Sequence, residues 1–87
     1  MKVWEFEEKV RAVEGITIVI RALPDATVAD YKWKRAADSG WRINELLENR
    51  INECIKPYGC LVLDGTGQQP HGGTKLPTVR DSYKPKK

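Results

Sequence analysis

The stretch from Asp38 to Ile55, DSGWRINELLENRINECI, decides how the rest of the chain is read. Within it Ile43, Leu46, Leu47, Arg50, Ile51, Cys54 and Ile55 recur at steps of three and four, which gathers the apolar ones on one side of an α-helix. Asn44, Glu45, Glu48, Asn49, Asn52 and Glu53 fall on the other side, so the helix is expected to lay one face on a sheet and show water the other. Asp38 or Ser39 is expected to cap its start, because a short side-chain oxygen accepts from the free N–H groups of a first turn. Lys56 suits the negative end of the helix dipole, and Pro57, which has no N–H to donate, stops the helix.

Toward the N-terminus, residues 3–13 (VWEFEEKVRAV) and 16–22 (ITIVIRA) each alternate with the period of a half-buried strand. Together they are expected to form a β-hairpin closed by Val13-Glu14-Gly15, with only Gly15 in the left-handed region. That register puts Trp4, Phe6, Val10, Ala12, Ile16, Ile18 and Ile20 on one face and sets Glu7 across from Arg21 on the other. Glu8 breaks the pattern, since it falls on the inner face opposite Ile20. Beyond Leu23-Pro24-Asp25, Thr27 and Asp30 have the spacing of a capping pattern, and a short helix is expected from about Val28 to Ala37, with Lys32, Lys34 and Arg35 facing out. Ser39-Gly40 separates the two helices.

After the main helix, Cys60-Leu61-Val62-Leu63 is apolar on both phases and short, as a strand covered on both sides is, and it is expected to join the hairpin as a third strand. The expected fold class is therefore α+β in the order β-β-α-α-β, a small antiparallel-type sheet packed by one main amphipathic helix. Residues 1–64 are expected to form the single domain, and 65–87 a Gly/Pro-rich loop and basic C-terminal tail. Within that tail, Thr78-Val79-Arg80-Asp81 has the pattern to open one helical turn, and Tyr83 to dock back on the body.

At 87 residues the chain makes one domain with little stability to spare and no room for a deep catalytic cleft. No apolar run is long enough to cross a bilayer, and the start has no signal-type segment, so no membrane partner and a cytoplasmic location are expected. The net charge of +3 is unevenly spread. Residues 75–87 carry five basic side chains against one acid, whereas residues 1–74 carry ten against eleven.

Several arrangements that invite chemistry lack the spacing it requires. The glycines of DGTGQQPHGGTK could crowd N–H groups round an anion, but Thr74 precedes Lys75 and Pro77 follows, the wrong order for a phosphate-binding loop. Cys54, Cys60 and His71 supply three of the four ligands a structural zinc would need, at an unfamiliar spacing. Both cysteines sit in apolar settings that suit inert thiols. The expectation is a non-enzyme with no cofactor and no metal.

What remains conspicuous is a set of cations interleaved with aromatics: Tyr31-Lys32-Trp33-Lys34-Arg35, Trp41-Arg42 and Tyr83-Lys84. Phosphates attract such cations, and aromatic faces stack on unpaired bases. The sequence reads as a small binding protein contacting nucleic acid through Lys32, Lys34, Arg35, Arg42, Lys75, Arg80, Lys84, Lys86 and Lys87. The alternative is a protein-protein interaction module or inhibitor, of the type mobile elements encode, acting on an acidic protein surface. A sheet with so few strands also admits a homodimer. The succession Ile16 to Arg21, Ser39-Gly40 and a helix containing Glu45-Leu46-Leu47 resembles a ribbon-helix-helix DNA-binding module. The resemblance implies that Thr17, Val19 and Arg21 read a DNA groove from a strand shared by two copies, whereas the preceding segment already offers that strand a partner within the chain.

Overall fold

The computed structural model describes residues 1–83. Its order is α1 (Val3–Glu14), β1 (Thr17–Ile20), α2 (Ile43–Leu46), a π-helical turn (Leu47–Ile51), α3 (Asn52–Ile55), β2 (Cys60–Leu63) and α4 (Leu76–Asp81). Because α2, the π turn and α3 follow one another without a break, the described residues form three helical bodies and one antiparallel pair of strands, an α+β domain.

The first correction concerns residues 3–13, which are helical rather than the first strand of a hairpin. Val3, Phe6 and Val10 are spaced by three and four and are buried at 2%, 0% and 0% exposure, while Trp4, which the strand reading placed inside, is 44% exposed. Most of the outward residues are Glu, Lys, Arg or Ala, good helix formers, and Glu8 falls on the wet side where a carboxylate belongs. Glu5 reaches back to accept the Lys2 N–H at 3.0 Å, which closes the first turn. Gly15 ends the helix at φ 69°, ψ 24°, with its N–H on the Arg11 carbonyl. The residue expected to close a hairpin is thus a left-handed helix cap.

β1 pairs with β2 in the register Thr17↔Leu63, Ile18↔Val62, Val19↔Leu61 and Ile20↔Cys60. Residues 60–63 do form a strand, but the sheet has two strands where three were expected, because the first is α1. The inner pair Ile18 and Val62 is buried and faces the core, and α1 packs against β1. The outer edge of β1 is blunted at Ile20, whose N–H donates to Glu7 Oε2 at 2.9 Å in place of the expected pairing of Glu7 with Arg21. At the start of the strand the Thr17 N–H donates to the Tyr83 hydroxyl at 3.0 Å, and that hydroxyl donates to the Leu63 carbonyl. A side chain thereby completes the first rung of the ladder. Since β1 finds its partner within the chain and the helix expected after it is absent, the arrangement departs from a ribbon-helix-helix module.

The second correction concerns residues 28–37, which carry no regular secondary structure, with a bend at Arg35, rather than a helix. Their backbone donors are committed elsewhere: Val28 N–H to the Met1 carbonyl, Ala29 N–H to the Cys54 carbonyl and Ala37 N–H to the Glu14 carboxylate. Side chains from Tyr31 to Lys34 alternate, with Tyr31 buried, Trp33 half-buried, and Lys32 and Lys34 exposed. The order β-β-α-α-β accordingly gives way to α-β-α-β-α.

The main helix begins at Ile43, with Arg42 at its cap instead of Asp38 or Ser39. Asp38 closes a local turn by accepting the Gly40 N–H at 2.7 Å, and Glu45 accepts the Arg42 N–H at 3.2 Å. Leu46 and Ile51 are both fully buried although five residues apart. In a regular α-helix they would point about 140° apart, so the wider π turn between them keeps Ile43, Leu46, Ile51 and Ile55 on one apolar face. Leu76 and Val79 of α4 join the same core as Phe6, Ile16 and Tyr31. A short helix does form, but it starts at Leu76 with Lys75 at its cap, so Thr78 lies inside it and does not open it, whereas Tyr83 docks on the sheet as the sequence suggested.

Candidate functional site

The π turn carries Arg50 inward to Glu14, the one fully buried charged side chain among the described residues. Glu14, the last residue of α1, is 1% exposed and accepts from four donors. These are the Tyr31 hydroxyl at 2.5 Å, the Ala37 N–H at 2.8 Å, Arg50 Nη1 at 2.7 Å and Arg80 Nη2 at 3.3 Å. Arg80 also donates from Nε to the Glu14 carbonyl at 2.7 Å, and Arg50 Nη1 donates to the Arg35 carbonyl at 2.8 Å. One carboxylate therefore ties together α1, the irregular segment 28–37, the main helix and α4. A buried charge is tolerable only when satisfied in this way, because an unpaired one carries its full desolvation cost. Burial first, and the Glu14 carboxylate second, push the Tyr31 phenol well above its ordinary value.

Outward from this network the Arg50 guanidinium lies between two half-buried indoles, 5.4 Å from the Trp33 ring centre and 5.5 Å from that of Trp41. Cation–π attraction suits this position, and the Arg50 Nε, buried and without a hydrogen-bond acceptor, has aromatic surroundings instead. Trp33 is further packed by the Tyr31 ring at 5.0 Å and by Lys32 Nζ at 5.2 Å. Trp41 adjoins Arg42, whose backbone bridges to Lys75. The Trp41 carbonyl accepts the Leu76 N–H at 3.0 Å and the Ile43 N–H donates to the Thr74 carbonyl at 3.0 Å, which fixes the loop bearing Lys75 beside the start of the main helix.

The residues expected to meet a partner are thus divided by the fold. Lys32, Lys34, Arg35, Arg42 and Lys75 are exposed on the segments around Trp33 and Trp41, and among the described residues none forms an ion pair. Arg80 turns inward to Glu14. Lys84, Lys86 and Lys87 lie outside the described residues. Arg50 belongs to the site and was hidden from sequence reasoning inside the apolar stripe. A lone cation in such a stripe calls for a buried acid, but nothing in the sequence says that Glu14 is that acid.

Other groups have simpler roles. Desolvation pushes the Cys60 thiol up to about 11 and raises that of Cys54, so both remain neutral and poorly nucleophilic. His71 is exposed, and its Nδ1 accepts the Gly73 N–H at 3.0 Å. Asp64 holds its loop by accepting from Thr66 and Gln68. Among the described residues, no group of three or more His, Cys, Asp and Glu side chains is placed to hold a metal ion, and no helix is long and apolar enough to cross a membrane. Comparison with known protein families, with curated proteins and with solved structures finds no match to this chain.

Proposed function

We propose that the chain is a small non-enzymatic binding protein that contacts nucleic acid through the surface around Trp33 and Trp41. The observation that carries the reading is that Lys32, Lys34, Arg35, Arg42 and Lys75 are exposed, form no ion pair among the described residues, and lie on the segments that carry the half-buried Trp33 and Trp41 or are bridged to them. Cations already spent on carboxylates have little left for phosphates, whereas these keep their full charge toward solvent. Lys84, Lys86 and Lys87 follow in the sequence and add to the same electrostatic attraction. The two neutral thiols favour binding over covalent chemistry.

A gel-shift titration at two salt concentrations tests this. Counterion release makes the logarithm of the affinity fall linearly with the logarithm of salt, with a slope of about 0.7 to 0.9 for each phosphate engaged. No complex with any nucleic acid at low salt would remove the proposal. A second reading, an interaction module or inhibitor acting on an acidic protein surface, uses the same cations. It is favoured by the large apolar side chains left in water, Leu23 at 79% exposure and Trp4 at 44%. Self-association into a homodimer is compatible with either reading and is read by a concentration-dependent sedimentation measurement, whereas binding to an acidic protein with none to nucleic acid separates the two.

A further inference from the structure

The two indoles beside Arg50 are not equivalent, and the difference bears on which form of nucleic acid the surface takes. Trp33 is engaged by three neighbours, the Tyr31 ring, Lys32 Nζ and the Arg50 guanidinium. Trp41 has Arg50 as its only ring partner among the described residues. It is also the indole next to the paired backbones of Arg42 and Lys75, two exposed cations held at a fixed spacing by the bridge between them. A half-buried ring whose backbone is held through its own N–H and carbonyl, which is braced by a guanidinium and flanked by cations without ion pairs among the described residues, has the makings of a base-stacking platform. Bases in a duplex are already stacked on one another and do not offer a face to it. Unpaired bases do.

Resting on the nucleic-acid reading above, we propose that Trp41 stacks on an unpaired base while Arg42 and Lys75 hold the adjoining phosphates, so that the surface selects single strands over duplex. Trp33 is the structural member of the pair. It holds Arg50 in place against Glu14 and makes no contact with the strand.

The test uses the full chain with labelled oligothymidylate, oligouridylate and a duplex of matched length at low salt. Single strands are expected to bind more tightly than duplex. Trp41→Ala is expected to weaken single-strand binding roughly 5- to 150-fold, the equivalent of one lost base stack, and to leave duplex binding unchanged. Trp41→Phe, which keeps an aromatic face, is expected to retain most of the affinity and guards against a folding defect in the alanine variant. In a chain carrying Trp4→Phe and Trp33→Phe, the emission of Trp41 alone is expected to be quenched as oligothymidylate is added. Preference for oligothymidylate or for oligouridylate then tells DNA from RNA. If duplex binds as well as single strands and the emission of Trp41 does not move, stacking is overturned while the nucleic-acid reading stands. If neither form binds at low salt, both fall.

Discussion

Two groups of cations share this small molecule and meet opposite fates. Arg50 and Arg80 are drawn against a fully buried carboxylate, with 14% and 24% of their side chains exposed, and they hold four segments of the chain together. Lys32, Lys34, Arg35, Arg42 and Lys75 are exposed and form no ion pair among the described residues. Arg50 lies against both indoles, 5.4 Å from the ring centre of Trp33 and 5.5 Å from that of Trp41, while Lys32, Lys34 and Arg42 flank the same indoles in the sequence, so the indoles mark a boundary between buried and exposed charge. Net charge is blind to this division. A chain can be basic without being adhesive if its arginines face inward, and it is the unpaired fraction that steers a polyanion.

Breaking the buried side of the comparison should have the largest effect. Glu14→Ala leaves two arginines and the Tyr31 hydroxyl without their acceptor, and removing one partner of a buried ion pair typically costs about 3 to 5 kcal/mol. In a domain of this size that is a large share of the total, so the urea midpoint should fall steeply or the chain should fail to fold. An unchanged midpoint would mean that the carboxylate organises nothing.

A smaller effect separates the two groups directly. Arg80→Ala should cost about 1 to 3 kcal/mol by stripping donors from Glu14, while Lys75→Ala should shift stability by no more than about 0.5 kcal/mol. In the gel-shift experiment the order should invert, with Lys75→Ala reducing the salt slope and Arg80→Ala leaving it as it was. If Arg80→Ala alone flattened the salt dependence, the boundary drawn at the indoles would be in the wrong place.

The mildest effect is one of pH. The native Tyr31 phenol is raised above its ordinary value of 10.0, so its contribution is complete below that value. It is lost as the pH climbs past 10.0 toward the native value, because the unfolded chain ionises there and the folded chain does not. The Cys60 thiol, pushed up to about 11, weakens the fold over the same alkaline range, so the difference between wild type and Tyr31→Phe is what should be read. The variant should lose about 1 kcal/mol near neutrality and decline less steeply above pH 10.

How much of this was legible beforehand depended on how long each pattern ran. The main helix is readable because its apolar residues keep their spacing for several turns, and its π turn is not, because no local signal distinguishes a wide turn from a regular one. VWEFEEKVRAV satisfies two periods at once: Val3, Phe6 and Val10 fit a helix, and Trp4, Phe6, Val10 and Ala12 fit a strand. Only Glu8 dissented from the strand, and its objection was sound. The capping pattern at Thr27 was overridden by backbone bonds to Met1, Cys54 and Glu14, partners that no local propensity can report. The five outward cations were visible from the sequence, while Arg50 and Glu14, 36 residues apart, could be joined only by the fold.

The Tyr83 hydroxyl that bridges Thr17 and Leu63 has a consequence for the order of assembly. Its link to Thr17 spans 66 residues, the same separation as that between Glu14 and Arg80. The first helix and the strand after it therefore cannot satisfy all their hydrogen bonds until residues 80–83 arrive. Early segments wait on late ones. A chain cut short before residue 80 would leave both of these long-range links unmade.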